Sequence, residues 1–153
     1  MRIAAGALFS TLSIIPLHAA PSRHGSKDEA VTMVQRIQDM FSKEGVATPF
    51  KATSDPSTQE FHDRDLYPFL CELSGVCVAH GARPALIDND LIDVREQHGH
   101  YLISEIIDLV KGRDSGWVDY KWQNPLTNRI EDKSSYIEKL GNNYFVGVGV
   151  DRE

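Results

Sequence analysis

The chain has 153 residues, with 16 Lys and Arg against 22 Asp and Glu, a net charge of −6 and a pI near 5.5. That length suits one domain and buries an ordinary core without disulfide or metal staples. The acidic balance and the lack of any basic stripe exclude nucleic acid as a partner, and an anionic ligand needs a local cationic pocket working against the global field.

Arg2 precedes an almost uncharged run from Ile3 to Leu17, and Leu17-His18-Ala19 then leads into Ala20-Pro21. This is the layout of a secretory signal over residues 1–19. Cleavage is expected after Ala19, because a cut after Ala20 puts Pro21 directly beyond the scissile bond. Pro16 and the short apolar run argue against a retained anchor. Export follows, with residues 20–27 as a leader, disordered over 20–25, and a ligand-binding domain over 28–150.

Ser26 and Glu29 have capping-box spacing, and Asp28 adds negative charge to the first turn. Ala30, Val31, Val34, Ile37 and Phe41 follow helical spacing until Gly45 stops the run. Thr48-Pro49 caps one further short helical turn, and residues 54–58 are loop. Tyr67 to Leu73 and Val76 to His80 form a hairpin, with Pro68 at an edge or at a strand start. A three-residue loop, Leu73-Ser74-Gly75, sets Cys71 and Cys77 opposite each other, whereas a two-residue loop points them to opposite faces. An oxidising compartment permits a bridge across a small loop; the alternative is two small buried hydrophobes. No second Cys pair or spaced His cluster makes them a metal site.

Residues 81–93 connect, turning at Pro84 and at Asp88-Asn89-Asp90. A second helix is expected from about Gly99 to Lys111, with Leu102, Ile103, Ile106, Ile107 and Val110 buried and Gly112 at its end. His98-Gly99-His100 at its start lacks a third metal ligand, so capping or solvation is the expected role. Three short strands follow: Trp117 to Trp122, Lys133 to Ile137 and Tyr144 to Val150. Turns at Asn124-Pro125, Thr127-Asn128 and Gly141-Asn142-Asn143 separate them. In the first, Val118, Tyr120 and Trp122 share one face while Trp117, Asp119 and Lys121 share the other. Five antiparallel strands with helices gathered on one side give an α+β layer architecture.

No nucleophile elbow, zinc-protease pair or phosphate-binding glycine loop is present. Gly147-x-Gly149 reads as close packing of a helix on the sheet. Asp63, Asp65 and Glu131-Asp132 read as solvated turn residues rather than an acid–base pair. Neither an enzyme nor a cofactor nor a metal is expected.

Gly-Trp-Val-x-Tyr-x-Trp-x-Asn-Pro from Gly116, Lys-x-x-Tyr from Lys133 and Gly-Val-Gly-Val from Gly147 together resemble the single Cache domain of bacterial extracytoplasmic sensors. The likeness extends to Asp65-Leu66-Tyr67 and to residues 75–81, and covers residues 28–150. The resemblance implies a PAS-like five-stranded sheet behind a long N-terminal helix and a periplasmic location. It implies a small organic anion as ligand, a two- to three-carbon carboxylate such as acetate, propionate or pyruvate. It also implies a homodimer through the long helix, and a membrane receptor or kinase as partner. Because only Asp151-Arg152-Glu153 follow Val150, the expectation is a freestanding module that acts through a separate membrane protein. The chain departs from the family at Glu96, where Asp is usual in an Asp-x-x-Gly turn, and at Arg83, Asp88 and Asp90.

A small carboxylate needs a cation and one or two neutral donors in a dry pocket. Lys133, opening its strand, supplies the cation; Tyr120 and Tyr136 supply O–H donors, and Trp122 the floor. His80 either hydrogen-bonds the ligand or ties the following loop to the sheet. Tyr67 and Tyr101 are further pocket candidates whose alternative is core packing. Trp117 packs against a helix. Lys133→Ala is expected to abolish anion binding with the fold intact, and Trp117→Ala to cost about 3–5 kcal/mol of stability. The rival readings are an interaction module without a small-molecule ligand and an enzyme acting on a small acid.

Overall fold

The computed structural model describes residues 22–124 and 127–152. The expected signal segment, its cut and Pro125 of the Asn-Pro turn lie outside them. Helix α1 spans Lys27–Glu44 behind a complete capping box: Glu29 N–H donates to Ser26 Oγ, and Ser26 N–H donates to the Glu29 carboxylate at 2.7 Å. Gly45, at φ 78°, ends it in the left-handed region that only glycine enters freely. Its buried stripe is Ala30, Met33, Val34 and Ile37. Val31 and Phe41 flank that stripe at intermediate burial. Helix α2, Ala47–Ser54, is two turns rather than one. Residues 22–26 are not a loose leader. Gly25 N–H donates to Asp65 Oδ1 at 2.6 Å, and Arg64 holds the His24 carbonyl at 3.0 Å.

Five strands make one antiparallel sheet in the order β2-β1-β5-β4-β3: β1 Pro68–Glu72, β2 Cys77–His80, β3 Ser115–Gln123, β4 Ile130–Leu140 and β5 Tyr144–Asp151. Period-two alternation gives the sheet two faces. Leu70, Leu140, Val146 and Val148 pack with α1 on one, and Phe69, Ile137, Phe145 and Val118 pack with helix α3, Leu102–Arg113, on the other. The helices therefore cover both faces, contrary to the one-sided arrangement expected. The reason is parity: the sheet is apolar on both sides, and each side buries its own helical stripe.

Helix α3 runs through Gly112 and ends at Asp114, whose φ of 62° is one that Asp tolerates better than most residues. Lys139 N–H fixes that corner by donating to the Asp114 carbonyl at 2.8 Å. The β2 edge is covered by the connection that follows it: Cys77 N–H donates to Asn89 O, and Asp88 N–H donates back to Cys77 O. Gly147 and Gly149 do not seat a helix. A Cβ on Gly147 would meet the Phe69 ring at 2.4 Å, and one on Gly149 would meet the Lys133 stem at 2.4 Å. These glycines let two side chains lie flat across β5.

Candidate functional site

On the α3 face the sheet, the start of α3 and the connection after β2 enclose a cavity with about 70 Å³ of space open to a water-sized sphere. This is roughly five times what one water needs, which is room for a few heavy atoms. Tyr67, His80, Tyr120 and Trp122 line it together with both cysteines, and Leu86, Leu91 and Val94 form the lid. The walls are mostly apolar, so the few polar groups that face the space act in a weakly screening medium.

His80 is buried at the end of β2, and its Nδ1 accepts from Ala82 N–H at 3.2 Å and Arg83 N–H at 3.0 Å. Burial, with repulsion from Arg83 and Lys133, depresses its pKa to about 4. The ring is neutral at pH 7, and because Nδ1 is an acceptor its proton sits on Nε2. That N–H has no protein partner among the described residues. The loop tie and a free donor thus coexist on one ring.

Tyr67 lies tilted beside His80, with centroids 5.5 Å apart, and burial pushes its phenol up to about 12. The Tyr120 hydroxyl bonds Ser135 Oγ at 2.7 Å; burial raises its pKa, and that bond offsets only part of the rise. Trp122 meets Tyr120 edge-on, and the Arg83 guanidinium lies 4.9 Å above its ring.

Lys133 is only 4% exposed, yet it does not open its strand: β4 begins three residues earlier, at Ile130. Its Nζ lies 5.0 Å from the Tyr67 ring centre and donates to Asp151 Oδ1 at 3.1 Å. It borders a second, more open hollow with Asp65, Asn124 and His62, so the Tyr67 ring stands between the ammonium and the enclosed cavity. The charge is already paired. Lys133→Ala would therefore strand a buried carboxylate, which contradicts the expectation of an undisturbed fold.

Asp151 continues β5 opposite Lys133 rather than forming a tail. Its Oδ2 accepts from Asn124 Nδ2 at 3.2 Å and lies 3.8 Å from His24 Nδ1. The same His24 nitrogen is 3.3 Å from Asp65 Oδ2. Asp65 is 6% exposed and so is not the solvated turn residue expected. Among the described residues His24, Asp65 and Asp151 alone have metal-ligating spacing. The adjoining Lys133 and Arg64 already supply positive charge there and compete with a metal cation.

Two candidates fall elsewhere. Tyr136 lies on the α1 face, 5.5 Å from Trp117, with its hydroxyl on Glu138. Three positions from Lys133 in an unbroken strand, it must point the opposite way. Tyr101 is 41% exposed and carries the Arg95 guanidinium 4.5 Å over its ring, outside the cavity wall. Glu96 makes this turn although Asp is the usual residue there. Its Oε1 accepts from His98 N–H at 2.7 Å and His100 N–H at 3.1 Å, and its Oε2 from Lys121 N–H at 3.3 Å. Burial pushes this carboxyl up, but the bonds from His100, His98 and Lys121 outweigh that and hold it below its ordinary value.

Asp151 and Asp65 were missed as site residues. A buried lysine demands a counter-ion, but nothing in local spacing says which acid supplies it.

A family model described as a Cache domain matches residues 27–153. The chain is 31% identical over 90 residues to the methyl-accepting chemotaxis protein McpP of Pseudomonas putida, covering 58% of this chain and 16% of that receptor. It is 26% identical over 122 residues to the sensor histidine kinase MctS of Rhizobium johnstonii, covering 79% of this chain and 26% of that kinase. It thus spans about a quarter or less of these relatives. Among solved structures, a periplasmic sensor domain of a chemotaxis protein superposes with TM-score 0.63 at 22% identity, over 82% of this chain and 90% of that one. A Cache chemosensory domain solved for its carboxylic acid recognition gives 0.60 at 19% identity, over 82% and 88%.

Proposed function

From the premise that this chain belongs to the Cache domain family, we propose that it is an exported, periplasmic sensor module that captures a small organic anion in the cavity under α3. A two- to three-carbon monocarboxylate fits the space best. The observation that carries this reading is the neutral His80, whose Nε2–H has no protein acceptor among the described residues and which lines a mostly apolar hollow that Arg95 and Glu96 also border. An N–H without a protein partner is open to a ligand, and an incoming carboxylate oxygen can accept from it. The relatives, a chemoreceptor and a sensor kinase, and the structural neighbour that recognises carboxylic acids support the same reading.

In this mechanism one carboxylate oxygen accepts from His80 Nε2–H and the other from the Tyr67 or Tyr120 hydroxyl, while Trp122 and the lid cover the carbon chain. Lys133, one ring behind and paired with Asp151, lies against the Tyr67 ring that lines the cavity. Lid closure then distinguishes the bound from the free state, which is what a signal to a membrane receptor or kinase requires. A homodimer through α1 is part of this proposal.

The test is thermal unfolding of the mature domain against acetate, propionate, pyruvate and a dicarboxylate. Binding to the native state alone must raise the midpoint. A millimolar series with no shift for any acid would refute the anion site and leave the interaction module as the surviving account.

A further inference from the structure

Cys71 and Cys77 face each other across the β1–β2 hairpin, and both line the cavity as free, buried thiols. The backbone groups around them define the kind of pair they form. Glu72 N–H donates to Val76 O at 2.8 Å, so the hydrogen-bonded pair is the next one along. The N–H and C=O of Cys77 turn outward, to Asn89 and Asp88. Cys71 sits opposite Phe145 of β5 on its other side. Cys71 and Cys77 are therefore a non-hydrogen-bonded antiparallel pair, where α-carbons stand about 4.5 Å apart and side chains are nearest. That lies inside the range a disulfide spans without moving the backbone. Immediately beyond the pair the register slips by one residue, Leu70 pairing with Ala79, so the ladder is irregular between the cysteines and His80.

We infer that this pair is a redox gate on the cavity floor, its dithiol and disulfide forms holding the anion with different affinity. The inference rests on the anion-binding reading above. Small exported disulfides, or the disulfide of an exported thiol oxidoreductase, are the oxidant class. Cys77, which faces Cys71 in the register and lines the cavity with it, is taken as the attacking group. Its thiolate attacks one oxidant sulfur and expels the other as a thiolate. Cys71 sulfur then attacks the mixed disulfide at Cys77 and expels the second. The two cysteine protons end on the two oxidant thiols: one S–S bond is exchanged for another, and the oxidant is reduced by two electrons.

The bridge staples the hairpin just ahead of the ladder irregularity, and so limits the movement of His80 and Tyr67 before ligand arrives. A preorganised site binds more tightly. By reciprocity, the anion must make the disulfide harder to reduce by the same factor. Because the lid covers both sulfurs, bound anion should also slow their oxidation.

The experiment uses the full mature domain equilibrated in glutathione buffers of graded potential, with the bridge read by mass after thiol trapping. Acetate and propionate affinities are then measured on the two trapped forms. The expected result is a folded domain with an intrachain bridge that binds the anion about fivefold or more tightly than the dithiol form, the lower end of measured coupling between sites. A Cys71→Ser/Cys77→Ser variant should show a single affinity that does not change with potential. A folded domain that stays unbridged in fully oxidising buffer overturns the inference, and so do equal affinities in the two forms. Bridging with no binding in either form instead overturns the anion reading beneath it.

Discussion

Replacing Lys133 by Met separates folding from recognition more cleanly than truncating it to Ala. Met matches the length of the stem that lies across Gly149 and opens no cavity, but it removes the ammonium 3.1 Å from Asp151 Oδ1. The side chains of the pair are 5% and 10% exposed, so solvent does little to compensate the stranded carboxylate. Breaking such a pair costs about 3–5 kcal/mol. At roughly 3–4 °C per kcal/mol for a domain of this size, the midpoint should drop by about 10–20 °C. Asp151→Asn should cost a similar amount, by stranding the ammonium. The double variant leaves neither charge, and its stability should return to within about 1 kcal/mol of the parent. Urea unfolding of the four proteins gives the coupling energy directly. Anion binding, followed by the ligand-induced rise in midpoint, should be lost in Lys133→Met and stay lost in the double variant. If either single variant loses less than about 1 kcal/mol, the pair behaves like an exposed one, and the argument from a buried, neutralised cation fails. If the double variant recovers both stability and binding, Lys133 has no part in recognition.

His80 takes up its proton in the unfolded chain near pH 6.5 but in the folded chain only near pH 4. Its contribution is thus present in full above pH 6.5 and lost as pH falls towards 4, by about 3 kcal/mol in total. His80→Asn keeps an acceptor for the Ala82 and Arg83 amides and should flatten the stability profile across that window; an unchanged slope would show that another group carries it. Tyr136→Phe should leave anion affinity unchanged while Tyr67→Phe weakens it, as measured by calorimetry, because only Tyr67 lines the cavity. Gly149→Ala should destabilise the domain and cut anion affinity, since its Cβ lands 2.4 Å from the Lys133 stem; wild-type affinity in that variant would mean the stem is free to move. Trp117 is half-buried over Tyr136, with Lys27 across its ring, so Trp117→Ala should cost about 2 kcal/mol in urea unfolding rather than the value for a fully buried indole.

The elements of this fold are written locally. A capping box at Ser26 and a glycine at position 45 bound the first helix, and period-two alternation marks the aromatic strands. Parity alone already puts Tyr120 and Trp122 on one face and Trp117 on the other, as the structure has them. It should equally have removed Tyr136 from a site containing Lys133, since three steps along a strand reverse a side chain. The three-residue loop at Leu73-Ser74-Gly75 is the register that opposes Cys71 to Cys77. The helix end at Asp114 was harder to read. Gly112 is the stronger local stop signal, but the bond from Lys139 to the Asp114 carbonyl fixes the corner from a distant strand.

The sequence by itself determined the helices, the strands and which residues share a face, because these follow from backbone periodicity and turn chemistry within a dozen residues. Only the tertiary structure decided that α1 and α3 lie on opposite faces, that Asp151 neutralises Lys133, and that the Tyr67 ring separates that ammonium from the cavity. Those outcomes depend on the register between β4 and β5 and on what each buried charge finds within about 4 Å. Such distances are set when distant segments pack, and no local pattern encodes them.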